Sequence, residues 1–260
     1  MGVLNVTPDS FYDGGRYLSV DDAVAHGLDL VAQGADIVDV GGESTRPGAE
    51  PVPEDVEMAR VLPVVEALAG RVRVSVDTLK PAVAEAALQA GATLVNDVSA
   101  SLWPVAAAGR VGWVAVHMQG SPPTMQAAPR YQDVVAEVTD FLVHRARAAL
   151  EAGVEEVWVD PGIGFGKTME HNLSLLHHLP EVVAAATGAG CAGVVVGTSR
   201  KRFLGLLAAP SGSSEPVGPE DRVEGSLATA AQALVAGAGM VRVHDVAVTV
   251  QAARLYGPAA

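Results

Sequence analysis

The feature that most constrains this chain is a repeat. Eight short apolar runs recur along its 260 residues, separated by helical stretches, and most of them end in chemically loaded residues. The runs fall at Gly2–Val6, Ala35–Val40, Val72–Val76, Thr93–Val95, Gly112–Val116, Glu156–Val159, Gly193–Val196 and Met240–Val243. They are near-continuous apolar stretches rather than strict alternations, which is the pattern of a parallel sheet buried on both faces. Between them, amphipathic segments follow at about Asp21 (or Ser19) to Gln33, Glu54–Ala69, from Pro81, Tyr131–Glu151, Thr168 (or Glu170) to Leu179, Glu220–Ala236 and Val246–Tyr256. Glycines at Gly34, Gly91 and Gly237 stand just ahead of three strands, as repeated helix C-caps would. Ser211–Pro219 is a loop. Eight short strands alternating with helical segments in a chain of this size predict a single-domain α/β fold, a (β/α)8 TIM barrel spanning residues 1–260.

An open doubly wound sheet is the competing α/β arrangement. It would normally put a Gly-x-Gly-x-x-Gly turn after the first strand, and none is present. The dense run Gly162-Ile-Gly164-Phe-Gly166-Lys-Thr168 imitates a phosphate loop, but Pro161 stands where the first glycine of that motif belongs.

A net charge of -13 provides no broad basic field for nucleic acid or an anionic membrane surface. No run reaches the roughly 18 apolar residues of a membrane span, and the N-terminus lacks the pattern of a secretory signal. One cysteine, Cys191, excludes an internal disulfide and fits a reducing compartment, so the expected location is cytoplasmic. The three lysines, Lys80, Lys167 and Lys201, each lie just beyond a strand, where a merely solubilising residue has no reason to concentrate.

In a barrel of this kind the strand C-termini converge on one face. That face collects Asn5, Asp39, Thr45, Arg46, Asp77, Asn96, Asp97, His117, Asp160, Lys201, Arg242 and His244. So many polar groups would be costly in a core, and they are expected to line a ligand cavity. Asp77, Asn96 and Asp160 suit a flat heterocycle bearing amino and ring N–H groups. Arg242 and His244 alternate on one strand end beside Asn5, an arrangement able to hold a phosphate.

These residues carry a resemblance. Asn5-Val-Thr-Pro-Asp-Ser-Phe11, Asp39-Val-Gly-Gly-Glu-Ser-Thr-Arg-Pro-Gly48, Val76-Asp77-Thr78, Asn96-Asp97-Val98-Ser99, His117-Met-Gln-Gly120, Asp160 to Lys167, Ser199 to Gly205 and Arg242-Val-His-Asp245 span the chain. In this form and order the chain resembles the dihydropteroate synthases, folate-pathway enzymes of the pterin-binding barrel family. The resemblance implies a transferase that condenses 6-hydroxymethyl-7,8-dihydropterin diphosphate with 4-aminobenzoate, releasing 7,8-dihydropteroate and diphosphate. It implies that Asp77, Asn96, Asp160 and Lys201 bind the pterin, and that Arg242, His244 and Asn5 hold the diphosphate, with Asn5 contacting Mg2+. Phe11, Thr45, Arg46 and Pro47 would close over the reacting centre, while Ser199, the helix after it and Phe165 would receive 4-aminobenzoate. Asp77, Asp160, Lys201 and Arg46 are the expected catalytic set. The resemblance further implies a sulfonamide target and a homodimer built on outer helices.

Two positions depart from the family pattern. Tyr12 stands where a small residue is expected, and Ala100-Ser101 replace a glycine pair. A pterin-dependent methyltransferase domain, which would need no diphosphate site, and a non-catalytic pterin-binding paralogue are the alternatives. Arg46, Arg242 and His244 count against the first. The full set of loop and diphosphate residues counts against the second. On this reading Lys201→Ala and Arg242→Ala each impair turnover without unfolding the chain.

Overall fold

The computed structural model describes residues 1–7, 19–44 and 48–256. Eight parallel strands pair in sequence order, β1 (Gly2–Asn5), β2 (Ile37–Gly41), β3 (Arg73–Asp77), β4 (Leu94–Asp97), β5 (Gly112–Val116), β6 (Val157–Asp160), β7 (Gly193–Val196) and β8 (Met240–Val241). The last strand returns to the first. Gly2 and Val243 form a parallel bridge, and Val3 N–H donates to the Val243 carbonyl at 2.9 Å. This closes the barrel predicted from the repeat, although β8 is two residues long rather than four.

Around it lie α1 (Val20–Ala32), α2 (Glu54–Leu68), α3 (Pro81–Gln89), α4 (Trp103–Gly109), α5 (Val134–Glu151), α6 (Met169–His177), α7 (Leu179–Gly188), α8 (Arg202–Ala208), α9 (Val223–Val235) and α10 (Val246–Tyr256). Ser19 caps α1 by accepting from Asp22 N–H, with Asp22 returning the bond, so the two candidate caps resolve in favour of Ser19. Gly34, Gly91 and Gly237 have φ of 103°, 110° and 94°, the left-handed conformation that C-caps require.

The differences from the sequence reading are local. Helix α5 begins at Val134 rather than Tyr131, because the Asp133 side chain accepts from Val135 and Ala136 N–H and sets the start there. The segment after His177 continues as α7: the break falls at His178, whose ψ of 17° leaves the helical region, and Pro180, which lacks an N–H, sits in the first turn of the new helix where none is needed. Residues Pro219–Arg222 form a 3₁₀ turn ahead of α9.

Strand side chains alternate across the sheet. The outward set, Leu4, Val38, Val40, Val74, Val76, Val95, Ala115 and Val159 among it, joins the large core beneath the helices. The inward set makes a second, smaller core of Ile37, Leu94, Val114, Val116 and Val195, with Trp158, Phe165 and Met240 against it. At the strand N-terminal end, Arg73 forms a two-bond pair with Glu156 at 2.9 and 2.5 Å, and the Trp158 indole donates to Glu156 at 2.7 Å. At the opposite end the inward positions turn polar. Because apolar residues and Trp158 fill the middle, a ligand can enter only from that polar end.

Room for Trp158 comes from a neighbour without a side chain. A methyl on Gly193 would lie 2.7 Å from Cζ3 of that indole. Gly193→Ala is expected to cost about 1–3 kcal/mol as overpacking. Denaturant melts of that variant, and of the same change combined with Trp158→Leu, check this; the second substitution should relieve part of the penalty.

Candidate active site

The polar end is built by register. Asn5 pairs with Gly41, Gly41 with Asp77, and Asp77 with Asn96, so these side chains meet at one level, with Asp39 one step deeper. Asp160 ends β6, and Arg242 follows β8. Arg242 reaches across the barrel mouth. Its Nε donates to Asp39 Oδ2 and its Nη2 to Asp77 Oδ2, each at 2.6 Å, and Asn96 Nδ2 donates to the same Asp39 oxygen at 3.0 Å. Asp39 is fully buried. One buried oxygen of each of Asp39 and Asp77 has no hydrogen-bond partner among the described residues, which leaves two acceptors at the mouth.

One cation shared between two carboxylates has opposite consequences for them. At Arg242 burial works against the charge, but Asp39 and Asp77 outweigh it and hold the guanidinium firmly charged. At Asp77 burial dominates, Arg242 opposes it and Asp39 adds to it, so the carboxyl is pushed up to about 7. Burial likewise raises Asp160, against the pull of Lys201 and a 2.7 Å bond from Gly162 N–H. Burial lowers Lys201 to about 8, with Asp160 opposing the shift. The Lys201 ammonium donates to the Ile163 carbonyl and lies 4.3 Å from the Phe165 ring centre. Asp77, Asn96, Asp160, Lys201, Phe165 and Arg242 are therefore brought together as the sequence predicts.

On the adjoining side, Ser199 Oγ accepts from His244 N–H at 3.0 Å and lies 3.0 Å from His244 Nδ1. Ser199 and His244 thus form one unit across the β7 and β8 loops. Phe11, Tyr12, Thr45, Arg46 and Pro47 fall outside the described residues.

Several expectations need correction. Asn96 and Asp97 are consecutive on a strand, so they point to opposite sides and only Asn96 faces the mouth. Asp97 instead accepts from Ser99, Ser101 and Leu102 N–H and from the Trp113 indole, fixing the connection into α4. The loop through Ala100, at φ 49°, is held there without the glycine the family pattern led us to expect. His117 does not line the cavity. It is buried with its ring 5.0 Å from Phe141, and burial followed by the charge of Lys167 pushes it down to about 3.

Only one of the three lysines faces the mouth. Lys167 is buried beneath the Gly162–Gly166 loop, with its nitrogen 2.9 Å from His117 Nδ1, 3.0 Å from the Gly162 carbonyl and 3.1 Å from that of Phe165. The glycines of that loop let it run against the strand β5 connection. A methyl on Gly162 would sit 1.7 Å from the His117 carbonyl oxygen, and one on Gly166 would sit 2.3 Å from that of Gln119. The false phosphate loop is a packing device. Lys80 donates to Glu43, to Glu57 at 2.6 Å and to the Val52 carbonyl at 2.6 Å, tying together both ends of the connection after β2.

The sequence reading placed Asp39 among the cavity-lining residues but gave it no specific partner, although a lone carboxylate at an inward position of an apolar run was a usable signal. The pairing of Arg200 with Asp245, at 2.9 and 2.5 Å, was not foreseen. Cys191 is remote from the mouth, and burial raises its thiol to about 11, so it is no nucleophile. Among the described residues no helix is long and apolar enough to cross a membrane.

Asp77 yields a pH prediction. Its folded pKa, about 7, lies above the ordinary 3.8, so the folded state holds that proton more tightly and stability falls as pH rises from about 4 to 7. Asp77→Asn should flatten this dependence and be more stable than the parent chain at pH 8. Thermal melts at pH 5 and pH 8 check it; a variant destabilised at pH 8 contradicts it.

Comparison with known proteins gives a consistent match. The family described as pterin binding enzyme matches residues 1–244. The chain is 49% identical to the dihydropteroate synthase of Mycobacterium leprae over 267 aligned residues, covering 99% of this chain and 92% of that protein. The structure of Xanthomonas albilineans dihydropteroate synthase with 4-aminobenzoic acid superposes with a TM-score of 0.87 at 46% identity, covering 98% of this chain and 90% of that one. The same enzyme in complex with 7,8-dihydropteroate superposes with a TM-score of 0.83 at 43% identity and the same coverage.

Proposed function

The chain belongs to the pterin binding enzyme family, and from that premise we infer that it makes 7,8-dihydropteroate. It is a transferase that joins 6-hydroxymethyl-7,8-dihydropterin diphosphate to 4-aminobenzoate and releases diphosphate. The observation that carries this reading is the barrel mouth itself, where buried Asn96 and Asp160 stand with the unsatisfied acceptor oxygens of Asp39 and Asp77 beside Arg242 and Lys201.

The residue roles follow from chemistry at that mouth. A pterin offers amino and ring N–H groups, and the partnerless oxygen of Asp77 supplies an acceptor that desolvation makes strong. Asn96 and Asp160 complete the rim of that slot, and Lys201 can donate to the ring's carbonyl edge. A guanidinium has five N–H donors. Two go to Asp39 and Asp77, leaving three with which Arg242 can meet a diphosphate beside His244.

In the reaction the arylamine nitrogen attacks the exocyclic methylene carbon of the pterin. The bond from that carbon to the diphosphate oxygen breaks, and the nitrogen loses a proton. Positive charge spreading into the pterin as that bond weakens is stabilised by the carboxylates of Asp77 and Asp160. Arg242 and His244 take up the negative charge that leaves. Phe165, against the inner core, offers a face for the aryl ring, and Ser199 lies where its carboxylate would be held. Phe11, Thr45, Arg46 and Pro47 are assigned to closing the centre against water, with Arg46 adding positive charge.

We assign Mg2+ as the metal. Among the described residues no group of three or more His, Cys, Asp or Glu could hold an ion. A hard cation bound chiefly by substrate phosphates and water needs few protein ligands, and the Asn5 amide oxygen at the end of β1 fits that donor set. When bound, the ion would offset charge developing on the diphosphate.

We also assign a homodimer, supported by exposed apolar side chains on the outer helices: Leu207 on α8, Val235 on α9, and Leu255 and Tyr256 on α10. Sedimentation equilibrium should give twice the chain mass, and Val235→Asp should shift the population toward monomer. A cytosolic location agrees with the single unpaired cysteine.

The direct test is formation of 7,8-dihydropteroate and diphosphate from the two substrates, with and without Mg2+. Metal-dependent product is expected, and Lys201→Ala should reduce kcat/KM by about 100-fold while the chain stays folded. Arg242→Ala is expected to do more than impair turnover. It strips the cation that is hydrogen-bonded to the carboxylates of Asp39 and Asp77 and should cost about 3–5 kcal/mol, visible as a lowered melting temperature. Pterin binding without product would contradict the assignment.

A further inference from the structure

Arg200 stands between Ser199 and Lys201 at φ 56°, a left-handed backbone that a residue with a side chain rarely adopts. Such strain persists where the surroundings over-determine it, and it collects at functional sites. Arg200 is engaged through both its backbone and its side chain. Its N–H donates to Ser226 Oγ at 2.8 Å, its carbonyl accepts from Arg222 Nη1 at 2.9 Å, and its guanidinium grips both oxygens of Asp245.

The partners run in parallel. Ser199 bonds to His244, and the next residue on each loop, Arg200 to Asp245, repeats the tie. Two rungs therefore join the β7 loop to the β8 loop. The turn at Arg200 is also what lets Ser199 face His244 while Lys201 faces Ile163 and Phe165. The Arg200–Asp245 pair is partly open to water, with side-chain exposures of 36% and 19%, so it adds little to stability. Its geometry, two donors of one fork on two oxygens of one carboxylate, fixes direction and distance instead.

We propose that Arg200 and Asp245 are positioning residues that lock the Ser199 and His244 loops into one preformed half of the site, the half that receives the anionic groups of the substrates. This rests on the dihydropteroate synthase reading. Neither residue touches substrate; each acts through the residue beside it.

The test separates backbone from side chain. Arg200→Gly accepts φ 56° freely and removes only the ion pair. It is expected to keep a near-parent melting temperature and unchanged affinity for 6-hydroxymethyl-7,8-dihydropterin, which lacks the diphosphate. Its KM for 4-aminobenzoate and its Kd for inorganic diphosphate should each rise by about tenfold or more, the scale of loss that small misplacements produce. Asp245→Asn should show the same split. Exchanging the charges, Arg200→Asp with Asp245→Arg, should restore part of the loss, since Asp tolerates the left-handed region. Parent-like KM and Kd in Arg200→Gly overturn the proposal. So does a variant that loses pterin affinity and melting temperature together, which marks plain fold support. If the parent chain itself makes no dihydropteroate, the functional reading fails instead, and that control is run first.

Discussion

A single guanidinium holds the mouth of this barrel together. Arg242 enters from the shortest strand and joins β8 to β2 and β3 through Asp39 and Asp77, across the barrel rather than along its wall. Without that cation two carboxylates would face each other in a site nearly closed to water, where burial already pushes Asp77 up to about 7. With it, Asp39 can also orient Asn96. The recognition edge is thus assembled from four strands by one side chain. The same interaction leaves the site electrostatically incomplete, because one positive charge serves two negative ones. A ligand rich in N–H groups satisfies what remains.

The loops above that edge are stapled from outside it. Lys167 supports the Gly162–Gly166 loop from below while Lys201 binds it from above, so Phe165 is presented on a support with donors on both sides. Lys80 gathers Glu43, Val52 and Glu57 at the foot of the connection after β2. Asp97 does the same for the entrance to α4 with five donors. Each staple pairs a buried charge with several partners, the condition under which burying a charge is tolerated. Chain segments with little apolar area of their own are held in place by such groups, and the glycines in them permit the close approach.

Much of the site was legible before any coordinates. Asp77, Asn96, Asp160, Lys201 and Arg242 all lie at strand ends, and a closed parallel barrel brings every strand end to one face. Asp97 and His117 share that position in sequence yet belong elsewhere, because parity along the strand and the depth of the following loop decide which side a residue meets. Lysines at three strand ends looked equivalent, whereas only Lys201 reaches the mouth. Helix α7 was missed because an Ala- and Val-rich segment beginning at Pro180 carries weak periodicity.

What the sequence by itself determined was the architecture and the chemical inventory. Eight strands alternating with helical segments admit few closed forms, and apolar runs buried on both faces leave only their polar ends for chemistry. What only the tertiary structure decided was who pairs with whom. Arg242 and Asp39 are 203 residues apart, and Arg200 and Asp245 are 45 apart. Local propensity carries no information about contacts at such separation. They arise from barrel closure, which sets the distance and the dielectric at which those charges meet.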